Sequence, residues 1–247
     1  MIRNAAQTRR LRPQKTKRLR NNPVPGGRHS APAFFMKKLS DFREEYTRGA
    51  LEESAMLPDP VRQFEKWLHE AIESGIAEPN AMVLASVGGG GMPSARVVLL
   101  KEVTRRGFVF FTNYGSRKGR ELGENPHAAL VFDWHEIARQ VRVEGTVEKL
   151  PADESDAYFR SRPESSRLGA WVSAQSRVIE GRETLDAALS EYAVRFGGGD
   201  IPRPDYWGGY VVCPSVMEFW QGRTNRLHDR IVYSLDSQGW AMQRLAP

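Results

Sequence analysis

Arg139-Gln-Val-Arg-Val-Glu-Gly-Thr-Val-Glu-Lys149 decides the fold. Val141, Val143 and Val147 fall on one face of an extended chain, and Gln140, Arg142, Glu144, Thr146 and Glu148 on the other. A period of two is that of a strand with one buried and one wet face. Upstream, Ala81–Val87, Ser94–Val103, Gly107–Asn113 and Ala128–Trp134 are short runs rich in apolar, β-branched and aromatic residues. Short turns join these five strands, Gly88–Gly91 among them, whereas parallel neighbours need a long crossover. An antiparallel arrangement is therefore expected. Trp207–Trp220, Asp229–Tyr233 and Trp240–Leu245 read as closing strands. The whole is one α+β domain, an antiparallel barrel of six to eight strands with peripheral helices.

The helices read as follows. Residues 40–50 (SDFREEYTRGA) have the composition of a short polar helix. Asp59 is a good N-cap, and Pro60 suits the first helical position, where its missing N–H costs nothing. Phe64, Trp67, Leu68, Ala71 and Ile72 then form one apolar stripe that ends near Gly75. Further helical stretches cover 153–161, 166–173 and 181–196, the last carrying Leu185, Leu189, Tyr192 and Phe196.

Composition narrows the function. The 247 residues are 40% hydrophobic and 27% charged, enough for an ordinary core. No apolar run reaches the roughly 18–20 residues of a spanning helix. One cysteine, Cys213, excludes an internal disulfide, and five scattered histidines show no metal-ligand spacing, so no metal is expected. The net charge of +6 belongs to a tail: residues 1–28 hold nine of the 36 Lys/Arg and no acid. The remainder sets 27 basic against 30 acidic residues, about −3. Residues 1–33 read as a disordered basic extension, and 34–247 as the folded domain. The tail lacks a secretory apolar region, but its make-up also fits an organelle transit peptide or a nucleic-acid arm. Cytosol is the default compartment, with an organelle the alternative if the tail is a transit peptide.

Dinucleotide, phosphate-loop and GxSxG fingerprints are all absent. Instead, cations and hydroxyls gather at strand ends. Arg96 and Lys101 differ in parity along Arg96-Val-Val-Leu-Leu-Lys101, so at least one belongs at a rim or bulge, unless the run is simply a solvated edge. In Phe110-Phe-Thr-Asn-Tyr-Gly-Ser-Arg-Lys-Gly119 a strand runs into a helix start where Thr112, Ser116, Arg117 and Lys118 could hold a phosphate. A capped helix with surface charges would read the same. Tyr158 and Arg162 lie four apart, on one helical face if the turn persists to Pro163, and with Ser166 could hold a second phosphate. Gln175 and Ser176 suit an amide edge or a polar turn. Arg226, His228 and Arg230 share one face if they lie on a strand, which calls for an anionic ligand or for salt bridges such as one to Glu218.

RVVLLK (96–101), FFTNYGSRKG (110–119), RQVRVEG (139–145), YFRSRPESSRLGAWVSAQS (158–176), WGGY (207–210), EFWQG (218–222), RLHDR (226–230) and the terminal RLAP together resemble the pyridoxine (pyridoxamine) 5′-phosphate oxidase family. The resemblance runs in order from about Asp41 to Pro247 and leaves out the basic tail. It implies an FMN-binding split barrel and a homodimer with FMN at the subunit interface. The implied reaction is oxidation of pyridoxine 5′-phosphate or pyridoxamine 5′-phosphate to pyridoxal 5′-phosphate by hydride transfer from C4′ to flavin N5, with O2 reduced to H2O2. By motif, Arg96, Val97, Val98, Leu99, Leu100, Lys101, Phe111, Thr112, Arg117, Lys118, Gln140, Gln175, Ser176, Trp220 and Arg230 correspond to FMN contacts. Arg43, Glu44, Glu45, Tyr46, Lys101, Tyr158, Arg162, Ser166, Arg226, Leu227 and His228 correspond to the substrate set, with Arg226 and His228 as the catalytic pair. The family also implies a separate non-catalytic pyridoxal-phosphate site, which no residues here locate. Two rivals remain: a related split-barrel flavin or deazaflavin oxidoreductase, without need of the Tyr158/Arg162/Ser166 set, and a nucleic-acid binder, disfavoured by the acidic body.

Overall fold

In the computed structural model the described residues are 38–41, 45–46 and 49–247. The chain divides into two units, Met1–Arg43 and Glu44–Pro247. Of the first, a single 3-10 turn at Leu39–Asp41 is described. The expected extension over 1–33 and its boundary at 34 lie outside the described residues, as do Arg43 and Glu44.

The second unit is built on one antiparallel sheet. Its strands are β1 (Ala81–Val87), β2 (Pro93–Leu99), β3 (Glu102–Thr104), β4 (Gly107–Asn113), β5 (His127–Trp134), β6 (Arg139–Lys149), β7 (Trp207–Gln221), β8 (Asp229–Asp236) and β9 (Gly239–Leu245). They run in the order β2-β1-β5-β6-β7-β4-β3, with β8 joined to β7 and β9 to β8. Helices α1 (Pro60–Glu73), α2 (Arg117–Glu124), α3 (Ala152–Ser161), α4 (Glu164–Val172) and α5 (Arg182–Phe196) surround the sheet. No helix among the described residues is long and apolar enough to cross a membrane.

Among the described residues the strand count is nine rather than six to eight, because Ser94–Val103 is two strands. At the break, Leu100 N–H bonds Asn80 O at 2.9 Å and Lys101 N–H bonds Val109 O at 2.8 Å. The chain thus leaves the β1 edge and joins β4, which is how Arg96 and Lys101 reconcile their opposite parity.

β7 is the spine. Its first half, Trp207–Val212, pairs with β4, its second, Val216–Gln221, with β8, and β6 lies along both. The β6 register shifts between Glu144 and Gly145, opposite Pro214, which has no ladder donor. A Cβ on Gly145 would sit 2.0 Å from Cys213 O, so this close approach admits only glycine.

Inside the barrel the expected valines are buried: Val141 and Val143 at 0% exposure. Phe64 of α1 meets Phe108 at 4.8 Å and Phe132 at 4.7 Å between ring centroids. Each such side chain contributes about 1.5–3 kcal/mol by burial. Asp59 caps α1 as expected, accepting from Val61 N at 2.8 Å and Arg62 N at 3.4 Å. The stripe ends one residue early, since Ile72 faces solvent at 54% exposure. A smaller cluster of Phe159, Ala170, Ile201 and Trp207 lies under α3 and α4.

The helix expected over 40–50 does not form in the described residues. Only Leu39–Asp41 turns, while Glu45, Tyr46, Gly49 and Ala50 are non-helical. Gly49 has φ +72°, and tertiary partners claim the segment: Tyr46 packs on Trp220 and His228, and Leu51 N–H bonds Asp229.

Candidate active site

Two adjoining cavities, of about 570 and 540 Å3, open where β2 ends beside β4 and the start of α2, and they share Leu99, Lys101, Phe111, Thr112 and Gln175. In the second, Arg96, Val97, Val98, Arg117, Lys118 and Ser176 are also part of the lining. Leu100 does not join them: at 4% exposure it belongs to the core.

Ser116 caps α2 by accepting from Gly119 N at 3.2 Å. Lys118 Nζ lies 3.0 Å from both Thr112 Oγ1 and Gln175 Oε1. Burial pushes its ammonium down to about 8, with Arg96 adding and Glu121 opposing. Glu121 was not foreseen, and it organises the wall. Its carboxylate accepts from Ser94 Oγ at 2.6 Å, Ser86 Oγ at 2.7 Å, Arg117 Nε at 2.8 Å and Arg96 Nη2 at 3.2 Å. Burial raises its carboxyl, but those bonds outweigh burial and hold it down to about 2. Three cations against one carboxylate leave two positive charges, and a phosphate monoester carries roughly −1.5 to −2. The donor set fits the phosphate of a flavin mononucleotide.

The other cavity is lined by Tyr158, Arg162, Ser166 and Trp207. Tyr158 stacks on Phe111 at 3.8 Å, and the Arg162 guanidinium lies 4.5 Å from the Trp207 ring centroid. α3 stops at Ser161 and Arg162 is extended, yet both side chains still reach one cavity. Among the described residues Arg162 Nη1 is buried with no hydrogen-bond partner, and burial lowers the pKa of its guanidinium. An orphaned buried cation beside a hydroxyl is suited to receive an anion.

A second group gathers at the far end of β7. Gln140 of β6 faces Trp220, and Trp220 faces Arg230 of β8. Tyr46 meets Trp220 at 5.5 Å and His228 at 5.6 Å, edge-on, while Trp220 and His228 lie 4.7 Å apart. Strand alternation does not govern Arg226, His228 and Arg230, because Thr224–Arg226 is a 3-10 turn and β8 begins only at Asp229. Nor are three unanswered cations present. Buried Glu218 takes Arg230 in two bonds, at 2.9 and 3.0 Å. Arg226 and Leu227 are exposed, as is Glu45. His228 Nδ1 accepts the Arg223 N–H at 3.1 Å, so its neutral ring carries the proton on Nε2, and burial and Arg226 both favour that neutral form.

Trp207 and Trp220 stand at opposite ends of β7, about 40 Å of chain apart at roughly 3.3 Å per residue. No hydrogen bond, ion pair or ring contact joins the two groups among the described residues. One chain therefore presents two separate groups.

Comparison with known proteins bears on both groups. Residues 68–195 match the family model described as pyridoxamine 5′-phosphate oxidase. Residues 207–247 match one described as the pyridoxine 5′-phosphate oxidase C-terminal dimerisation region. The pyridoxine/pyridoxamine 5′-phosphate oxidase of Burkholderia multivorans is 55% identical over 86% of this chain and 100% of its own. That of Cupriavidus taiwanensis is 56% identical at the same coverage. Among solved structures, PhzG from Burkholderia lata 383, in complex with tetrahydrophenazine-1-carboxylic acid, superposes with a TM-score of 0.76 at 31% identity, covering 81% of this chain and 99% of PhzG. A pyridoxamine 5′-phosphate oxidase-related, FMN-binding protein from Nostoc punctiforme shares the fold, at 16% identity and TM-score 0.62 over 78% of this chain and 100% of its own.

Proposed function

The chain belongs to the pyridoxamine 5′-phosphate oxidase family, and from that premise we propose that it oxidises pyridoxine 5′-phosphate and pyridoxamine 5′-phosphate to pyridoxal 5′-phosphate. O2 is the final acceptor and leaves as H2O2; the amine substrate also takes up water and releases ammonia. The observation that carries this reading is the orphaned Arg162 Nη1, which with Tyr158, Ser166 and Lys101 offers a second anion site beside the first.

FMN, when bound, supplies the two-electron acceptor that takes a hydride from substrate C4′. Arg96, Arg117 and Lys118 hold its phosphate, braced by Glu121. Arg162, Tyr158 and Ser166 hold the substrate phosphate, and Lys101 stands where the two cavities meet. Arg226 and His228 complete the site from a second copy of the chain, His228 donating Nε2–H to the substrate rather than acting as an imidazolium. Their task is to orient the pyridine ring, where an error of about 1 Å can cost on the order of a hundredfold in rate. The dimerisation match and the separation of the half-sites along β7 both support a homodimer with shared sites.

The test is spectroscopic. Purified protein supplied with FMN should retain the yellow chromophore through gel filtration. Anaerobic pyridoxine 5′-phosphate should then bleach it without any nicotinamide. Protein that takes up no flavin, or flavin that only a nicotinamide can bleach, would overturn the reading.

A further inference from the structure

The loop from Gly222 to His228 follows an unusual path. Asn225 and Arg226 have φ of 55° and 61°, two successive side-chain-bearing residues in the left-handed region. Such a pair persists only where its surroundings over-determine it. At Gly222 a Cβ would lie 2.6 Å from the Tyr46 ring, so the loop also runs hard against the segment ahead of α1.

What holds it is one carboxylate. Asp229 Oδ2 accepts from Arg223 Nη1 at 3.1 Å and from Leu51 N at 3.0 Å. Its Oδ1 accepts from Arg244 Nη1 at 2.8 Å. Arg244 in turn grips Glu53, with Nε at 2.7 Å and Nη2 at 2.8 Å, and donates to Leu51 O at 2.7 Å. The circuit closes through Arg223, whose backbone N–H bonds His228 Nδ1. Asp229 thus ties down both ends of the loop, one through the Arg223 side chain and the other because it follows His228 directly in the chain.

We propose that Asp229 is a positioning residue, its carboxylate setting the orientation of Arg226 and the tautomer of His228 through Arg223. The kinetic part of this rests on the functional reading above. Both carboxylate oxygens are occupied by donors, and an asparagine would turn an NH2 group toward one of them. Asp229→Asn therefore cannot keep both arms. Arg223→Met removes the loop arm alone, and Arg244→Met removes the arm that runs through Arg244 to Glu53 and Leu51 O, leaving the Leu51 N–H on Asp229.

The experiment has two readouts on the full-length chain. In the first, 15N-histidine NMR, with His228 assigned by its loss in His228→Gln, should show the Nε2–H tautomer in wild type and in Arg244→Met. In Asp229→Asn and Arg223→Met it should show a mixture of tautomers. In the second, single-turnover reduction of bound FMN by pyridoxine 5′-phosphate should slow by about tenfold or more in those two variants. Substrate KM and flavin content should change by less than about threefold, because the phosphate contacts lie elsewhere. Wild-type tautomer and wild-type rate in both variants overturn the proposal. If the wild-type flavin is not reduced at all, the functional reading fails while the tautomer still decides for or against Asp229. Should Asp229→Asn not fold, Arg223→Met decides, since that side chain is 39% exposed.

Discussion

Replacing Arg162 with methionine separates a binding residue from a structural one by sign. The guanidinium rests 4.5 Å from the Trp207 centroid, its Nη1 buried and, among the described residues, unpartnered. In the free protein that orphaned donor costs about 1–3 kcal/mol, and methionine removes the cost while keeping most of the apolar stem. The cation–π attraction to Trp207, which methionine cannot make, contributes about 0.5–1 kcal/mol. Stability should therefore be unchanged or rise by up to about 2 kcal/mol, a few degrees in Tm for a chain of this size. Substrate binding moves the other way. A charge-assisted bond to phosphate contributes about 1.5–3 kcal/mol, so KM for pyridoxine 5′-phosphate should rise by roughly 10- to 150-fold. Unphosphorylated pyridoxine, which never uses that bond, should be affected far less. Differential scanning fluorimetry and steady-state kinetics on one preparation supply both numbers. A Tm several degrees lower with an unaltered KM would show Arg162 to be scaffolding.

Three further outcomes follow from the geometry. Burial sets the Lys118 ammonium at about 8, and a bound phosphate favours its protonated form, so FMN affinity should be level from pH 7 to 8 and fall by up to tenfold per unit above. Fluorescence titration checks this, with Lys118→Met as the pH-insensitive control, and a flat wild-type profile to pH 9.5 would contradict it. Mixing Arg162→Met with Arg226→Met, assayed at substrate near the wild-type KM, where each alone is nearly silent, should on subunit exchange restore about a quarter of wild-type sites, since half the dimers are mixed and each has one intact site; no recovery after confirmed exchange would place the whole site in one chain. Gly107→Ala should cost roughly 3 kcal/mol or more in a urea melt, because φ is +140° there and the new Cβ would lie 1.9 Å from Val212 O. A wild-type midpoint would refute the close approach of β4 to β7.

Strand positions were legible because half-buried strands advertise themselves through alternation. β1, β4 and β6 begin and end where the residues predict. The break at Leu100-Lys101 was not, since a change of strand partner leaves only a parity mismatch behind. Residues 40–50 misled for a related reason: their local composition favours a helix, but Tyr46 answers to Trp220 and His228, far along the chain. The cations at strand ends were visible one by one. Their organisers were not, because Glu121 and Asp229 draw partners from distant elements. Arg117, four residues before Glu121 on α2, was the one local hint. The proposed division of the site between the two ends of β7 has no local signature at all.

That division has a consequence for how the protein behaves in bulk. If neither end of β7 suffices alone, an isolated subunit is inert, and simple dilution silences the protein without unfolding it. Below the dissociation constant of the dimer, turnover would climb with the square of concentration. A subunit faulty at both ends would also spoil a cavity in whichever sibling it met, so a mixed population would lose more than its share of such members, whereas a fault at one end alone costs only its share.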